Sequence, residues 1–293
     1  MNGLESDMPR SSRESSIARV TFNNSREPAL AVEVLAFAEL RRKAPEGYLA
    51  RPQRPAFHQV HVVSRGHCAP EIDFARVALQ RGTVAWSHPG QVLRFDVHAD
   101  VEGWLLMFTA DALEGELADE RALPRAGPSI DLGSSRADVE WLLERVRRIS
   151  VGSADHERIR LLHHLLHALL FTLRREAIRE GATSSAPTST AFALFRREVE
   201  HRFATTRRLE DYERIVGYSS KTLTRATRAA SGLSAKQYID QRVLLEGRRL
   251  LAHTNLTVGE VSGRVGFSEP TNFIKFFRRE GGESPAEFRR RSS

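Results

Sequence analysis

The chain has 293 residues, 41% hydrophobic and 28% charged, which are ordinary proportions for a globular protein and enough length for two domains. No apolar stretch approaches the ~20 residues of a membrane-spanning helix, and the polar, Ser-rich start from Met1 to Arg26 lacks the apolar core of a secretory signal. The one cysteine, Cys68, excludes an internal disulfide and a cysteine-cluster zinc site, so a cytoplasmic protein with no membrane partner is expected.

Taken in chain order, residues 1–25 read as a disordered tail. From Phe57 to Phe108, short apolar runs are separated by turn signals at Gly66, Gly82, Pro89-Gly90 and Glu102-Gly103. Alternation is visible in Gln59-Val60-His61-Val62 and in Leu93-Arg94-Phe95-Asp96-Val97. Many short strands with regular turns predict an antiparallel barrel or sandwich. After Pro124 the period becomes helical. Ala137–Ile149 and His156–Ile178 carry apolar residues three and four apart, and the Val151-Gly152-Ser153 break makes them a helical hairpin. Residues 26–180 thus form one expected domain. The small and hydroxylated run GATSSAPTST, residues 181–190, reads as a linker, and 191–293 as a second, all-helical domain.

The charge divides at the same place. Residues 1–190 hold 24 Lys and Arg against 25 Asp and Glu, whereas residues 191–293 hold 20 against 12. The whole basic excess, +8 against a total of +7, therefore belongs to the last 103 residues, which points to nucleic acid as their partner.

That segment contains one device twice. Leu209–Val216 is followed by Gly217-Tyr218-Ser219 and then Ser220–Ala230; Val258–Val265 is followed by Gly266-Phe267-Ser268 and then Glu269–Glu280. In each copy a Gly ends a short amphipathic helix in a left-handed conformation, an aromatic fills the corner, and a Ser caps the next helix. This is the pattern of a helix-turn-helix, whose second helix enters the DNA major groove. Ala235–Ala252 would join the copies as a rod and set the two recognition helices about 34 Å apart, one turn of duplex.

The string Leu244-Leu245-Glu246-Gly247-Arg248-Arg249-Leu250-Leu251, then Val258 through Gly266-Phe267-Ser268-Glu269-Pro270-Thr271-Asn272-Phe273-Ile274-Lys275-Phe276-Phe277, then Ser284-Pro285-Ala286-Glu287-Phe288, resembles the AraC/XylS family of bacterial transcription regulators. The resemblance covers residues 191–291. The layout of the N-terminal half is similar to the family's sensor portion. It implies an α+β chain: a cupin-like antiparallel β-barrel with a helical dimerisation hairpin, then an all-α domain with two helix-turn-helix motifs. It further implies a homodimer that binds double-stranded promoter DNA, contacts RNA polymerase as an activator and answers to a small-molecule effector.

Carried over residue by residue, the first recognition helix presents Lys221, Thr224 and Arg225 to the groove with Arg228 nearer the backbone, and the second presents Pro270, Thr271, Asn272 and Lys275 with Arg278 beyond. The chemistry agrees: Arg and Lys pair with guanine, Asn with adenine, and Thr methyls contact thymine. Leu223, Phe273, Phe276 and Phe277 are spaced to face the core. Arg242, Arg248 and Arg249, like Arg196, Arg197 and Arg289–Arg291, are candidates for phosphate contact or for an ordinary solvated face. Two departures from the family pattern, Glu213 and Gly247 where Ala is usual, predict looser docking of the first reading head.

Catalytic readings are poorer. His163 and His167 have the spacing of a zinc pair, but no Glu accompanies them in His-His-Leu-Leu-His, and they fall opposite the stripe of Leu162, Leu165, Leu166, Leu169 and Leu173. Cupin enzymes hold metal with His-x-His. Here His58-Gln59-Val60-His61 is one residue too long, which sends the two rings to opposite faces of a strand, while His67, His88 and His98 are scattered. Nucleophile-elbow and phosphate-loop motifs are absent. No metal and no cofactor are expected, and the rival reading is a cupin-fold enzyme fused to a DNA-binding module. Arg94, Phe95, Trp86 and Trp104 are the candidate effector contacts, since aromatics with one charge suit a small organic ligand.

Overall fold

A computed structural model of the chain describes residues 17–24, 30–95, 100–113, 129–150, 155–181 and 189–292. The chain divides into two compact units, the main boundary falling between residues 185 and 186. Residues 182–188 of the expected linker, the break at 151–153 and His98 lie outside the described residues.

In the N-terminal unit the strands are β1 (Ala18–Val20), β2 (Val32–Ala36), β3 (Gln53–Pro55), β4 (His58–Arg65), β5 (His67–Cys68), β6 (Glu71–Ile72), β7 (Ala75–Arg76), β8 (Leu79–Gln80), β9 (Thr83–Ser87), β10 (Leu93–Arg94), β11 (Glu102–Phe108) and β12 (Ile130–Asp131). They build a five-stranded antiparallel sheet in the order β12-β9-β4-β11-β2, a second of order β1-β3-β10-β6-β7, and the pair β5-β8. Among the described residues these are separate sheets and not one closed barrel. The short runs after residue 57 are strands as their alternation predicts. Helix α1 (Phe37–Lys43) and β1 were not legible; β1 lies inside the stretch expected to be a disordered tail, pairing parallel with β3.

The long sheet has both faces covered, so successive residues of its strands are buried on either side, His58, Gln59, His61 and Glu33 among them. Helices α2 (Arg136–Ile149) and α3 (His156–Arg179) pack Val139, Leu142, Leu143, Leu162, Leu166, Leu169 and Leu173 on one face, against Val34, Val60, Val62, Val84, Leu106 and Phe108. The alternate residues Leu35, Val63, Ala85, Leu105 and Met107 face the other sheet with Phe37, Ile72, Leu93 and Phe95. Asp155 caps α3 by accepting from the Arg158 amide, and buried Glu176 pins the far end of that helix by accepting from Ser135 Oγ at 2.7 Å.

The C-terminal unit is helical: α4 (Thr190–Arg202), α5 (Leu209–Val216), α6 (Ser220–Ser231), α7 (Ala235–His253), α8 (Val258–Arg264), α9 (Pro270–Gly281) and α10 (Pro285–Ser292). Helix α7 is the expected rod, started by a capping box in which Ser234 and Gln237 exchange side-chain and backbone hydrogen bonds. It packs against α4 and α6 on one side and against α8, α9 and α10 on the other.

Candidate nucleic-acid interface

Helix α5 stops at Gly217, which takes φ +73° and returns its N–H to the Glu213 carbonyl. Tyr212, fully buried, anchors the helix: its hydroxyl donates to the Thr206 carbonyl at 3.0 Å and its ring meets Phe195 of α4 edge-on, with burial pushing the phenol up to about 12. Ser219 then caps α6 by accepting from the Thr222 amide at 3.3 Å. Leu223, Ala226 and Thr227 are buried under α6, which leaves Lys221, Arg225 and Arg228 exposed and Thr224 half-buried. Positions 221, 224, 225 and 228 are spaced by three and four, so they form one stripe.

The second pair reaches the same arrangement by other means. Thr257 and Glu260 form a capping box at the start of α8, and Gly266 takes φ +85° at the corner. Phe267 fills that corner, its ring centroid 5.5 Å from Phe273 and 5.1 Å from Phe276. The expected Ser cap is absent here. Glu269 occupies the cap position without a side-chain hydrogen bond, and Pro270 takes the first helical position, where its missing N–H would have had no partner. Phe273, Phe276 and Phe277 are buried; Pro270, Thr271, Asn272, Lys275 and Arg278 are all exposed.

The two departures act opposite to the expectation of looseness. The Glu213 carboxylate accepts a hydrogen bond from the Ser220 amide, so α5 is stapled to the first turn of α6 and one of that helix's free N–H groups is satisfied. Gly247 is buried, not exposed, and a Cβ there would sit 3.3 Å from the Phe273 ring, so α9 packs closely on α7 at this point. Neither signal could be read from sequence, because each depends on a neighbour in another helix.

Several arginines are spent inside the unit. Arg242 stacks over Phe203 at 3.9 Å and pairs with Glu200 at 2.7 Å and with buried Glu246 at 3.2 Å; Arg249, 3% exposed, pairs with Glu246 at 3.2 Å. Arg289 donates to the Leu251 carbonyl at 3.1 Å, Arg248 to that of Gly281, and Arg291 pairs with Glu283. These positions hold helices together. Lys221, Arg225, Arg228, Lys275 and Arg278 instead face outward from α6 and α9, as do Arg202, Arg214 and Arg264 from α4, α5 and α8.

The candidate effector residues do not come together. Trp86 is buried on the helix-covered face of the long sheet, where its Nε1 donates to His58 Nδ1 at 3.4 Å, and Trp104 is half-buried against that same core. Phe95 lies between the sheets, and Arg94 is half-buried on β10 opposite Glu71. Of the four, Phe95 alone lines a cavity of about 40 Å³ between the sheets, shared with Tyr48, Gln59, His61, Leu93 and Met107. His61 was passed over as a mismatched metal ligand. It is fully buried, its ring centroid lies 4.2 Å from Phe95, neither ring nitrogen has a hydrogen-bond partner among the described residues, and burial lowers its pKa to about 3. His58, on the opposite face, stacks on Phe108 at 4.8 Å. Cys68 is buried, and burial pushes its thiol up to about 11, away from nucleophilic use.

Comparison with known proteins agrees with this division. Residues 17–173 match the family model of an AraC-binding-like domain, and residues 212–291 match that of a helix-turn-helix domain. The HTH-type transcriptional activator RhaS of Salmonella schwarzengrund is 31% identical over 125 residues, 43% of this chain and 44% of RhaS, so the chain spans less than half the length of the curated relatives it matches. Among solved structures, ToxT from Vibrio cholerae covers 80% of this chain and 90% of its own at 8% identity and a TM-score of 0.42. The DNA-binding domain of AdpA, solved in complex with a target DNA, covers 34% and 91% at 30% identity and a TM-score of 0.31. With the AraC-binding-like match alone spanning more than half of its residues, the chain belongs to the AraC/XylS family of transcription regulators.

Proposed function

We propose that the protein is a sequence-specific DNA-binding transcription regulator, an activator, that inserts α6 and α9 into successive major-groove segments of promoter DNA. One observation carries this reading: on both helices the apolar face is locked into the core while Lys221, Thr224, Arg225 and Arg228, and Pro270, Thr271, Asn272, Lys275 and Arg278, line the opposite face. Side chains that pair with guanine, adenine and thymine edges thus stand on rigid supports, as base readout needs. The test is selection of binding sequences from a random duplex library by the full chain, followed by affinity measurements on the enriched site and on unrelated DNA across a salt series. A preference for the enriched site that survives at physiological salt is expected; equal affinity for both overturns the reading.

Within the same proposal, the N-terminal unit of residues 26–180 senses a small molecule, and its α2–α3 hairpin makes a homodimer. Trp141, Leu161 and Phe171 support the dimer, since they leave apolar area on the outside of those helices at 62%, 44% and 42% exposure. The His61 cavity is the proposed effector seat in place of the Trp86 and Trp104 set. Its walls are largely apolar, and the neutral imidazole offers one ring N–H and one acceptor nitrogen to an uncharged ligand. At about 40 Å³ it holds roughly one water, so an organic effector must widen it. Recruitment of RNA polymerase and action in the cytoplasm complete the proposed role.

A further inference from the structure

We propose that the loop joining α4 to α5 is a clamp that fixes the spacing of the two helix-turn-helix pairs, with Arg207 as its positioning residue. The inference rests on the DNA-reading role proposed above and adds a constraint to it.

Helix α7 alone would join the two pairs by a single attachment. The loop supplies a second attachment. At one end it is fixed to the first pair: the Thr206 carbonyl accepts from Tyr212 and the Thr206 hydroxyl donates to Asp211, both on α5. At the other end it runs against the corner of the second pair. A Cβ on Gly266 would lie 2.3 Å from the Ala204 carbonyl oxygen, so backbone meets backbone there and only glycine fits. Next to that contact the Arg207 guanidinium stacks over Phe267, its Cζ 3.4 Å from the ring centroid and 6.0 Å from that of Phe276. Phe267 is the corner residue that packs directly on α9. Half-buried Arg207 also lies in the field of Asp240 on α7, which attracts it, and of Arg279 on α9, which repels it. Two attachments close a ring, first pair to rod to second pair to loop. Such a ring holds α6 and α9 at one separation and one relative rotation.

DNA turns by about 36° and advances by ~3.4 Å per base pair, so a fixed separation accepts one half-site spacing and rejects its neighbours. Arg207→Ala removes the stack and leaves every groove-facing side chain in place. Arg207→Lys keeps the charge but lacks the planar group that covers the ring.

The experiment uses the full chain. Binding sequences are selected from a random duplex library by the wild type, and affinities are then measured on duplexes whose two half-sites are moved apart or together by one base pair. For Arg207→Ala the penalty for wrong spacing is expected to shrink by about 3- to 30-fold, the worth of a partly desolvated cation–π stack, with affinity at the right spacing less affected and Arg207→Lys in between. A uniform loss at every spacing would mean that Arg207 holds a phosphate, and an unchanged penalty would mean that the rod suffices; either overturns the clamp. A reading independent of DNA comes from spin labels on Ala229→Cys in α6 and Ile274→Cys in α9, both exposed, in a Cys68→Ser background that leaves no other thiol. Their distance distribution is expected to broaden in Arg207→Ala, and no broadening overturns the clamp. Should the wild type enrich no sequence at all, the DNA-reading proposal fails while the spin-label distances still decide the clamp.

Discussion

The two units handle polar chemistry differently. The N-terminal unit takes it inside: His58 and His61 are fully buried on opposite faces of one strand, and Trp86, Gln59 and Glu176 are buried with them. The C-terminal unit buries its polar groups as partners, Arg249 with Glu246 beside a core of Phe273, Phe276, Phe277 and Tyr212, and presents lysines, arginines and an asparagine on the outer faces of α6 and α9. A sheet covered on both faces has nowhere else to put a side chain, whereas a helix covered on one face must show the other. Inside, a polar group is tuned by desolvation and selects what can enter; outside, it stays charged and hydrated until a partner displaces the water.

Four measurements would break or sharpen this contrast. The largest effect is expected from Phe273→Ala, which leaves a hole beside Phe267, Phe277 and Gly247 and should cost ~3–5 kcal/mol in urea unfolding of the C-terminal unit. A cost below about 1 kcal/mol would show that the aromatic cluster does not support α9. Next, Asn272→Ala and Lys275→Ala should each weaken binding to the selected site by ~1–3 kcal/mol without shifting the thermal midpoint, because both side chains are exposed. Unchanged affinity would remove them from the groove.

His61 gives the inward counterpart. Its folded pKa, about 3, lies below the ~6.5 of the unfolded chain, so the neutral ring is the favoured folded form. The contribution to stability is whole above the unfolded value and is lost as pH falls from there toward 3, at about 1.4 kcal/mol per pH unit. His61→Phe should flatten that acid limb in denaturation curves taken from pH 7 to 4, and a limb of unchanged slope would show that His61 is not its source. The smallest effect is that of Ser219→Ala, about 1 kcal/mol from the lost cap of α6, read as a lower unfolding midpoint.

Much of the C-terminal unit was legible because its signals are local. Gly217, Ser219 and the apolar spacing of Leu223 and Phe273 act within one turn of chain, and the expected helix limits lie close to those observed. The Ser268 cap failed for an equally local reason: Pro270 moved the start of α9 one residue on, so that Glu269 took the cap position. The effector site was the least legible part. Trp86, Trp104, Arg94 and Phe95 were grouped by chemistry, but Trp86 and Phe95 face different cores, and the parity that separated His58 from His61 also separates Trp86 from Ala85 on β9. Strand β1 and helix α1 escaped notice because their partners are distant in the chain, β3 for the one and β11 for the other.

The amino-acid sequence by itself determined the division of charge, the repeated helix-corner-helix device and the outward stripes of α6 and α9, because periodicity and capping are properties of neighbouring residues. Only the tertiary structure decided what Glu213, Gly247, Arg207 and His61 face. Each meets a group across a gap in the chain: the Ser220 amide, the Phe273 ring, the Phe267 ring and the space between two sheets. Burial and close approach are set by packing, and packing is not written in the spacing of any one segment.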